Sequence, residues 1–253
     1  LGDYFAQDQQ WQEAISTYRD GLEQLGDKHF ALQGRLALAY VRANQSAEAE
    51  RTLSKLDEIV ESTSYAAPEI RFGRARERDL IRAMMWLQVN SQVDQRPARK
   101  AVDLLEQLVQ GRAASSVDAW MLLGDGHRAL RQWDAAATAY DKAFSLDPNR
   151  LDSRRKAATA WLAAAQPEQA IRRYEELLGN RASAEDQELW LALANARLQQ
   201  QLRRSRGQRH WGAFDQAYER AVSLESSSAA AEPWRLALLR AERLLAELPP
   251  VSP

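Results

Sequence analysis

The sequence of 253 residues predicts an all-α solenoid, in which short helix–turn–helix units stack along the chain. Within residues 117–150, apolar and small residues recur every three or four positions along two segments, with a turn at Gln132 and Trp133. This is the spacing of one helix face. The same positions recur 34 residues further along. A composition of 45% hydrophobic and 27% charged residues, with 11 glycines and 8 prolines, also suits a helical protein.

Residues 117–150 contain the most regular unit. The positions that define its two helix faces are Trp120, Leu123, Gly124 and His127 on the first helix and Ala136, Tyr140 and Ala143 on the second. Pro148 ends the second helix, because proline cannot continue one. The pattern resembles the tetratricopeptide repeat (TPR), W-x2-L-G-x2-Y, then A-x3-F, then P over 34 residues. His127 stands where Tyr is usual and Tyr140 where Phe is usual. The resemblance implies a right-handed superhelix that binds proteins.

The same spacing divides the chain into about six units in one solenoid domain. The predicted ranges are 1–29 (truncated), 30–63, 66–110 (irregular), 117–150, 151–184 and 187–226, with a closing helix at 232–248. The closing helix begins near Pro233 and would cover the bare face of the last unit. Because Leu1 falls inside what would be a first helix, we expect the chain to be a segment of a longer or processed protein.

The N-terminal units match the repeat spacing to different degrees. Unit 1–29 carries the second-helix face Trp11, Ala14 and Tyr18, and unit 30–63 carries Leu36, Ala37 and Tyr40, followed by Ala49, Leu53 and Leu56. Unit 66–110 is stretched. Its first helix is expected to run from Pro68 to about Val89, and its linker, Asn90–Pro97, is longer than the repeat allows.

The C-terminal units repeat the pattern of residues 117–150. In unit 151–184 the matching positions, 34 residues on, are Ala157, Ala158, Trp161, Ala170, Tyr174 and Leu177. In unit 187–226 they are Trp190, Leu193, Ala194 and Arg197, then Trp211, Phe214, Tyr218, Ala221 and Leu224. A basic insertion, Gln199–Arg209, separates the two helices of this last unit, and we expect the helix to fray there.

The composition excludes several function classes. A formal net charge of -1, from 34 basic and 35 acidic residues, makes nucleic acid an unlikely ligand. There is no cysteine, and the three histidines (His29, His127 and His210) lie in different units, so neither a metal site nor a cofactor is expected. Neither a phosphate-binding glycine loop nor a serine elbow occurs. We therefore expect no enzymatic activity and no small-molecule substrate. The tryptophans recur at packing positions, which favours a structural role over ligand stacking.

The resemblance also places a binding surface. In TPR proteins the first helices of successive units line a concave groove that holds a protein or peptide partner. The corresponding positions here are Asp3, Arg35, Leu38, Arg42, Asp118, Met121, Asp125, Arg128, Asp152, Arg155, Thr159, Glu188, Leu191 and Asn195. Their mixture of acidic and basic residues favours a partner with charges of both signs. The set does not match the carboxylate clamp of chaperone-binding TPRs. The basic loop is a second candidate contact, through Arg203, Arg204, Arg206 and Arg209, although a solvated loop is the simpler interpretation.

The sequence therefore predicts a non-catalytic scaffold that binds a protein or peptide partner. One alternative is a periplasmic TPR segment of a bacterial cell-envelope or exopolysaccharide export assembly. Another is the regulatory region of a larger enzyme. No apolar run is long enough to span a membrane, and a cytoplasmic location is favoured over a periplasmic one. The sequence leaves the partner and the oligomeric state open.

Overall fold

The computed structural model describes residues 1–63, 66–89, 92–111, 113–181, 183–225 and 233–248. Across these ranges the chain is all-helical and contains no strand. The helices are α1 (Gly2–Gln7), α2 (Trp11–Leu25), α3 (Phe30–Arg42), α4 (Ser46–Ser62), α5 (Pro68–Gln88), α6 (Arg96–Gln110), α7 (Val117–Ala129), α8 (Trp133–Leu146), α9 (Leu151–Ala163), α10 (Pro167–Leu178), α11 (Gln187–Leu202), α12 (Gly212–Glu225) and α13 (Pro233–Glu247).

The helices pack mainly on their neighbours along the chain, which confirms the predicted helical-repeat solenoid. They form two compact units, Leu1–Gln132 and Trp133–Pro253. In the first unit α3 packs on α2, α4 and α5, and α7 packs on α5 and α6. In the second, α9 lies between α8 and α10, and α11 packs on α10, α12 and α13. That the chain forms one solenoid domain, as the sequence analysis expects, stays a prediction.

The 34-residue spacing coincides with burial in the second unit. Ala136, Tyr140 and Ala143 of α8 are fully buried. Ala170 of α10, which lies 34 residues after Ala136, is also fully buried. Small residues at these positions let helices approach closely, while Tyr140 and Tyr174 fill the space between. The repeat pattern therefore marks the core, as the sequence predicts.

Four turns between paired helices share the same backbone conformation. Gln9, Asn44, Arg131 and Ala165 each adopt a positive φ of 57° to 60°. A glutamine follows each of them, and its backbone N–H donates to a carbonyl five residues earlier, as Gln132 does to His127 at 2.9 Å. This is the hydrogen bond of a Schellman helix ending. The left-handed residue ends the first helix and sends the chain into the second.

The irregular regions agree with the sequence analysis at α5 but not at α6, which includes the last two residues of the predicted linker, Asn90–Pro97. Helix α5 spans 21 residues, close to the predicted Pro68–Val89, and α6 begins at Arg96. Asn90, at the start of the predicted linker, lies outside the described residues, as do Ser226 and Glu232 at predicted unit boundaries. The predicted closing helix is α13. Helix α11 continues to Leu202 and so includes the first four residues of the basic insertion, before a short 3₁₀ turn at Arg206–Gln208.

Candidate functional site

The second unit contains a groove to which three of its helices, α9, α11 and α13, each present one face. Its volume is about 630 Å³. The side chains that line this α9–α11–α13 groove are Arg155, Thr159 and Leu162 of α9, Glu188, Leu189, Leu191, Ala192, Asn195 and Gln199 of α11, Arg235, Leu238, Leu239 and Glu242 of α13, and Tyr174 of α10. Spacings of three and four residues within each helix place the members on one face. The groove therefore follows directly from helical periodicity.

The polar part of the groove floor is fixed by Tyr174 and Thr159. The Thr159 hydroxyl donates to the Arg155 carbonyl at 3.0 Å, which leaves the Tyr174 hydroxyl, 3.2 Å away, to donate to Thr159. Burial raises the pKa of Tyr174, so its phenol stays neutral at physiological pH. Beside it, Leu191 is buried and Leu238 is half exposed. The floor thus combines apolar surface with hydroxyls whose hydrogen bonds are already made.

Charges of both signs surround this floor. The Arg235 guanidinium contacts Glu188 at 2.8 Å, joining α13 to α11, and the Arg155 guanidinium donates to Asp186 at 2.5 Å. Arg155 and Glu188 remain about half exposed, at 47% and 50%. Exposed ion pairs contribute only about 0–1 kcal/mol each. A charged ligand can therefore replace either pair at little cost.

The amide side chains of α11 remain available for hydrogen bonds in the groove. Asn195 and Gln199 lie one helical turn apart. Neither side chain hydrogen-bonds to any residue of the described ranges, although both line the groove. Each amide carries both donors and an acceptor. Together they can hydrogen-bond the N–H and C=O groups of an extended peptide.

The first unit has its own groove, of about 610 Å³, lined by α3, α5 and the start of α7. The residues that define this α3–α5–α7 groove are Gly34, Arg35, Leu38, Gly73, Arg76, Glu77, Leu80, Ile81, Met84, Ser115, Ser116 and Asp118. Burial raises the pKa of Glu77, against the lowering effect of the Arg35 and Arg76 charges. The Arg35 Nε atom also contacts Asp3 at 3.3 Å. Its lining is therefore also of mixed charge.

Residues 117–150, which hold α7 and α8, match the tetratricopeptide repeat family. This segment is similar to a tetratricopeptide repeat over the full length of one unit. This confirms the resemblance found in the sequence. His127 is buried, and its Nδ1 lies 2.7 Å from the Gln132 side-chain oxygen. The TPR position is thus used here for a polar contact that closes the turn.

Solved structures agree with the TPR fold. A thermophilic TPR protein of Thermus thermophilus, TTC0263, is 15% identical with a TM-score of 0.57, over 78% of this chain and 95% of its own. A MamA structure, MSR-1 C2, is 17% identical with a TM-score of 0.51, over 85% and 98%. A second MamA structure, from AMB-1, is 16% identical with a TM-score of 0.53, over 83% and 96%. No curated protein matches the sequence. These likenesses establish the fold, and TPR folds are typically protein-interaction scaffolds without catalytic activity.

The structure divides the predicted binding residues into two groups. Those that line a groove are Arg155, Thr159, Glu188, Leu191 and Asn195 in the second unit and Arg35, Leu38 and Asp118 in the first. Those that line neither groove are Asp3, Arg42, Met121, Asp125, Arg128 and Asp152. Met121 is buried, which makes it a core residue. Arg128 contacts Asp125 at 3.6 Å within α7. The partner-binding role of the whole set stays a prediction.

The basic insertion is more structural than its composition suggests. The Arg209 guanidinium donates to the Ala246 carbonyl at 2.5 Å and to the Arg204 carbonyl at 3.2 Å, and Arg203 donates to the Ala165 carbonyl. Arg204 and Arg206 are exposed. Two of the four arginines thus hold the loop against the second unit. Partner contact through this loop stays a prediction.

Sequence reasoning missed the contribution of α13 to the groove. It treats this helix as a closing element, whereas Arg235, Leu238 and Glu242 line the groove. Their spacing of three and four residues is a signal that the sequence does contain. It also treats Tyr174 as a packing residue alone, although Tyr174 lines the groove floor. Within the described ranges, no cluster of three potential metal ligands occurs. Nor does any helix there have the length and apolarity that membrane crossing requires.

Proposed function

We propose that the chain binds an extended peptide segment of a partner protein in the α9–α11–α13 groove. The observation that carries the proposal is the pair of amides, Asn195 and Gln199, that line the groove and make no side-chain hydrogen bond to a described residue. A peptide in extended conformation exposes N–H and C=O groups along its length, and side-chain amides bind both. Because the helices are already packed, binding does not require them to fold, which limits its entropic cost.

The rim determines the composition of the peptide. Arg155 and Arg235 are basic, and Glu188 and Glu242 are acidic, so a peptide with charges of both signs fits better than a polyanion. Leu162 and Leu238 offer apolar surface between these charges. We therefore expect an apolar residue flanked by an acidic and a basic residue.

A display library of random short peptides tests this proposal. Peptides selected on the full chain should bind the double variant Asn195→Ala, Gln199→Ala about thirtyfold more weakly, since two hydrogen bonds of about 1 kcal/mol each are lost. Far-UV circular dichroism should be unchanged, because neither amide supports another described residue.

Arg42→Ala is the matched control. It removes an exposed residue that the sequence assigns to the binding surface but that lies outside the groove. The selected peptides should bind this variant as they bind the wild type. Equal affinity for the double amide variant, or a loss caused by Arg42→Ala instead, would place binding elsewhere.

The narrower assignments stay predictions. An export assembly and a regulatory region of an enzyme both require a peptide-binding surface, so the groove favours neither. The groove also does not distinguish a cytoplasmic from a periplasmic location. The proposal concerns the ligand of this groove, whichever assembly contains it.

A further inference from the structure

The last helix, α13, exposes an apolar face on the side opposite to the one that packs on the second unit. The packed side includes Leu236 and Leu239, which are buried, and Arg243, which contacts Asp215 of α12 at 3.0 Å. At about 100° per residue, the residues on the opposite side are all exposed and all apolar. We call them the α13 outer face: Ala237, Leu238, Ala241, Leu244, Leu245 and Leu248.

The α13 outer face is unusually apolar for a helix side that borders solvent. Its four leucines are between 50% and 63% exposed, and they are four of the eleven large apolar side chains exposed within the described residues. A helix with one side in water normally carries polar residues on that side, whereas a helix that is apolar all round is normally covered all round. Contiguous exposed apolar patches mark interaction sites. Of these residues Leu238 alone also lines the α9–α11–α13 groove, so the outer face is otherwise a separate surface.

Two residues of opposite charge, Arg240 and Glu247, border the outer face along one edge. They are seven residues apart, which is about two helical turns, so they lie on the same side of α13. Arg240 is exposed and forms no ion pair with a residue that the structure describes. The Glu247 side chain is 46% exposed, and its contact with Arg243 is 3.6 Å long. Because Arg240 precedes the middle of the outer face and Glu247 follows it, reversing the direction of the helix exchanges the positions of the two charges.

We propose that the α13 outer face binds the same face of a second copy of this chain, with the two α13 helices antiparallel. A two-fold axis between antiparallel helices brings the same edge of each helix together, so Arg240 of each copy lies opposite Glu247 of the other. Leu244 lies near the axis, and Leu238 of one copy lies opposite Leu248 of the other. A parallel pair would instead bring unlike edges together and separate Arg240 from Glu247. The face is thus complementary to itself in both apolar surface and charge, as a two-fold interface requires.

Sedimentation velocity of the full chain over a series of concentrations measures this association. We expect a reversible dimer with a dissociation constant on the order of 10 µM, because one face of a 15-residue helix is smaller than the roughly 800 Å² per partner of a standard interface. A chain that stays monomeric up to about 200 µM would overturn the proposal and assign the outer face to a different protein.

A pair of leucine substitutions tests whether the outer face is the interface. Leu244→Gln with Leu245→Gln removes apolar surface near the two-fold axis, and neither residue lines the α9–α11–α13 groove. Association should weaken about a hundredfold, because the apolar area of both leucines is no longer removed from water. Leu25→Gln with Ile70→Gln is the matched control, since these residues lie on α2 and α5 and are 66% and 51% exposed, against 63% and 50% for Leu245 and Leu244. The control should dimerise like the wild type, and an equal loss in both pairs would contradict a specific interface.

Charge reversal tests the antiparallel arrangement, and it changes only exposed residues. Arg240→Glu brings like charges together at both ends of the interface, so association should weaken about tenfold at low salt. Adding Glu247→Arg restores opposite charges with their positions exchanged, so the double variant should return to within about twofold of the wild type. An Arg240→Glu variant that associates as the wild type does, or a double variant weaker than the single one, would contradict the pairing of Arg240 with Glu247.

Discussion

The two compact units contain grooves of similar volume, but different features shape them. In the second unit, α9 and α11 follow the repeat spacing, and the α9–α11–α13 groove is lined by side chains at regular intervals. In the first unit, the 21-residue α5 interrupts the spacing, and two glycines, Gly34 and Gly73, contribute to the groove wall. A regular unit thus makes its groove from side-chain periodicity. In the stretched unit, part of the groove wall is formed by the backbone of glycines, which have no side chain.

The ionic contacts that join the helices differ in the same way. Asp141 of α8 accepts hydrogen bonds from Arg154 at 2.8 Å, from Trp161 at 2.9 Å and from Arg173 at 3.0 Å, and its side chain is 20% exposed. In the first unit, the ion pairs that Asp57 of α4 makes within the described residues are with arginines of α5, and its side chain is 34% exposed. The regular unit therefore places one carboxylate at the junction of three helices. In the irregular unit the corresponding carboxylate is more exposed and joins only two helices, α4 and α5, among the described residues.

The largest effect is expected from Asp141→Asn, compared with Asp57→Asn. Removing the charge at Asp141 leaves Arg173 without its carboxylate partner and Arg154 with Glu176 alone, which should lower the free energy of unfolding by about 3 kcal/mol. Asp57→Asn should cost about 1 kcal/mol, because Asp57 is more exposed and Asp79 remains beside both of its arginines. Urea unfolding followed by circular dichroism measures both. Equal losses would show that the two clusters do not differ in burial.

The Asp141 contribution should also depend on pH. Burial alone raises the pKa of Asp141, but hydrogen bonds from Arg173 and Trp161 and the charges of Arg173 and Arg154 outweigh it, so the pKa falls below its ordinary value of 3.8. A carboxylate with a lowered folded pKa stabilises the protein above the unfolded pKa, and this stabilisation disappears as the pH falls through the folded one. The difference between the wild type and Asp141→Asn should therefore be constant down to about pH 4 and narrow below it. A difference that narrows between about pH 7 and 5 would contradict the lowered pKa.

A smaller effect is expected from Gly126→Ala in the first unit. A Cβ atom there would lie 2.7 Å from Cγ2 of the buried, β-branched Val102 in α6 and 3.6 Å from Leu87 in α5. Crowding of this kind costs about 1–3 kcal/mol, partly offset by the better helix propensity of alanine. We expect a net loss of about 1–2 kcal/mol in urea unfolding. The double variant Gly126→Ala, Val102→Ala should remove the crowding term, and a loss that is merely additive would assign the effect elsewhere.

The sequence predicts the repeat better than it predicts the groove, for a physical reason. Core positions such as Ala136 and Tyr140 must fit between helices, so their residue types and spacing are constrained and visible. Groove residues face solvent, so many residue types are tolerated there. Their spacing in the sequence predicts only that they share one face of a helix, not whether that face lines a groove. This is why the sequence places Arg155 and Asn195 together with Arg128, which lies outside both grooves.

Replacements at packing positions are also visible only in part. The sequence identifies Leu36, Ala37 and Tyr40 as repeat positions, but it gives no indication that Gln33 would be buried in place of a tryptophan. The hydrogen bond to Asp27 that makes this possible depends on a turn whose geometry is not encoded by spacing. The same holds for α13, whose groove-lining face becomes apparent only once the helix is packed on α11.

The smallest expected effect, Gly73→Ala, separates glycines that serve packing from those that serve the groove. Gly73 lies inside α5, and a Cβ atom there would have no heavy atom within 4 Å, in contrast to Gly126. Alanine should therefore raise the free energy of unfolding by about 0.5–1 kcal/mol through helix propensity alone. Such a gain would mean that the fold does not require glycine at a position lining the α3–α5–α7 groove, which leaves the shape of the groove as its role. A loss of stability would contradict the open environment of Gly73 and remove the distinction between the two glycines.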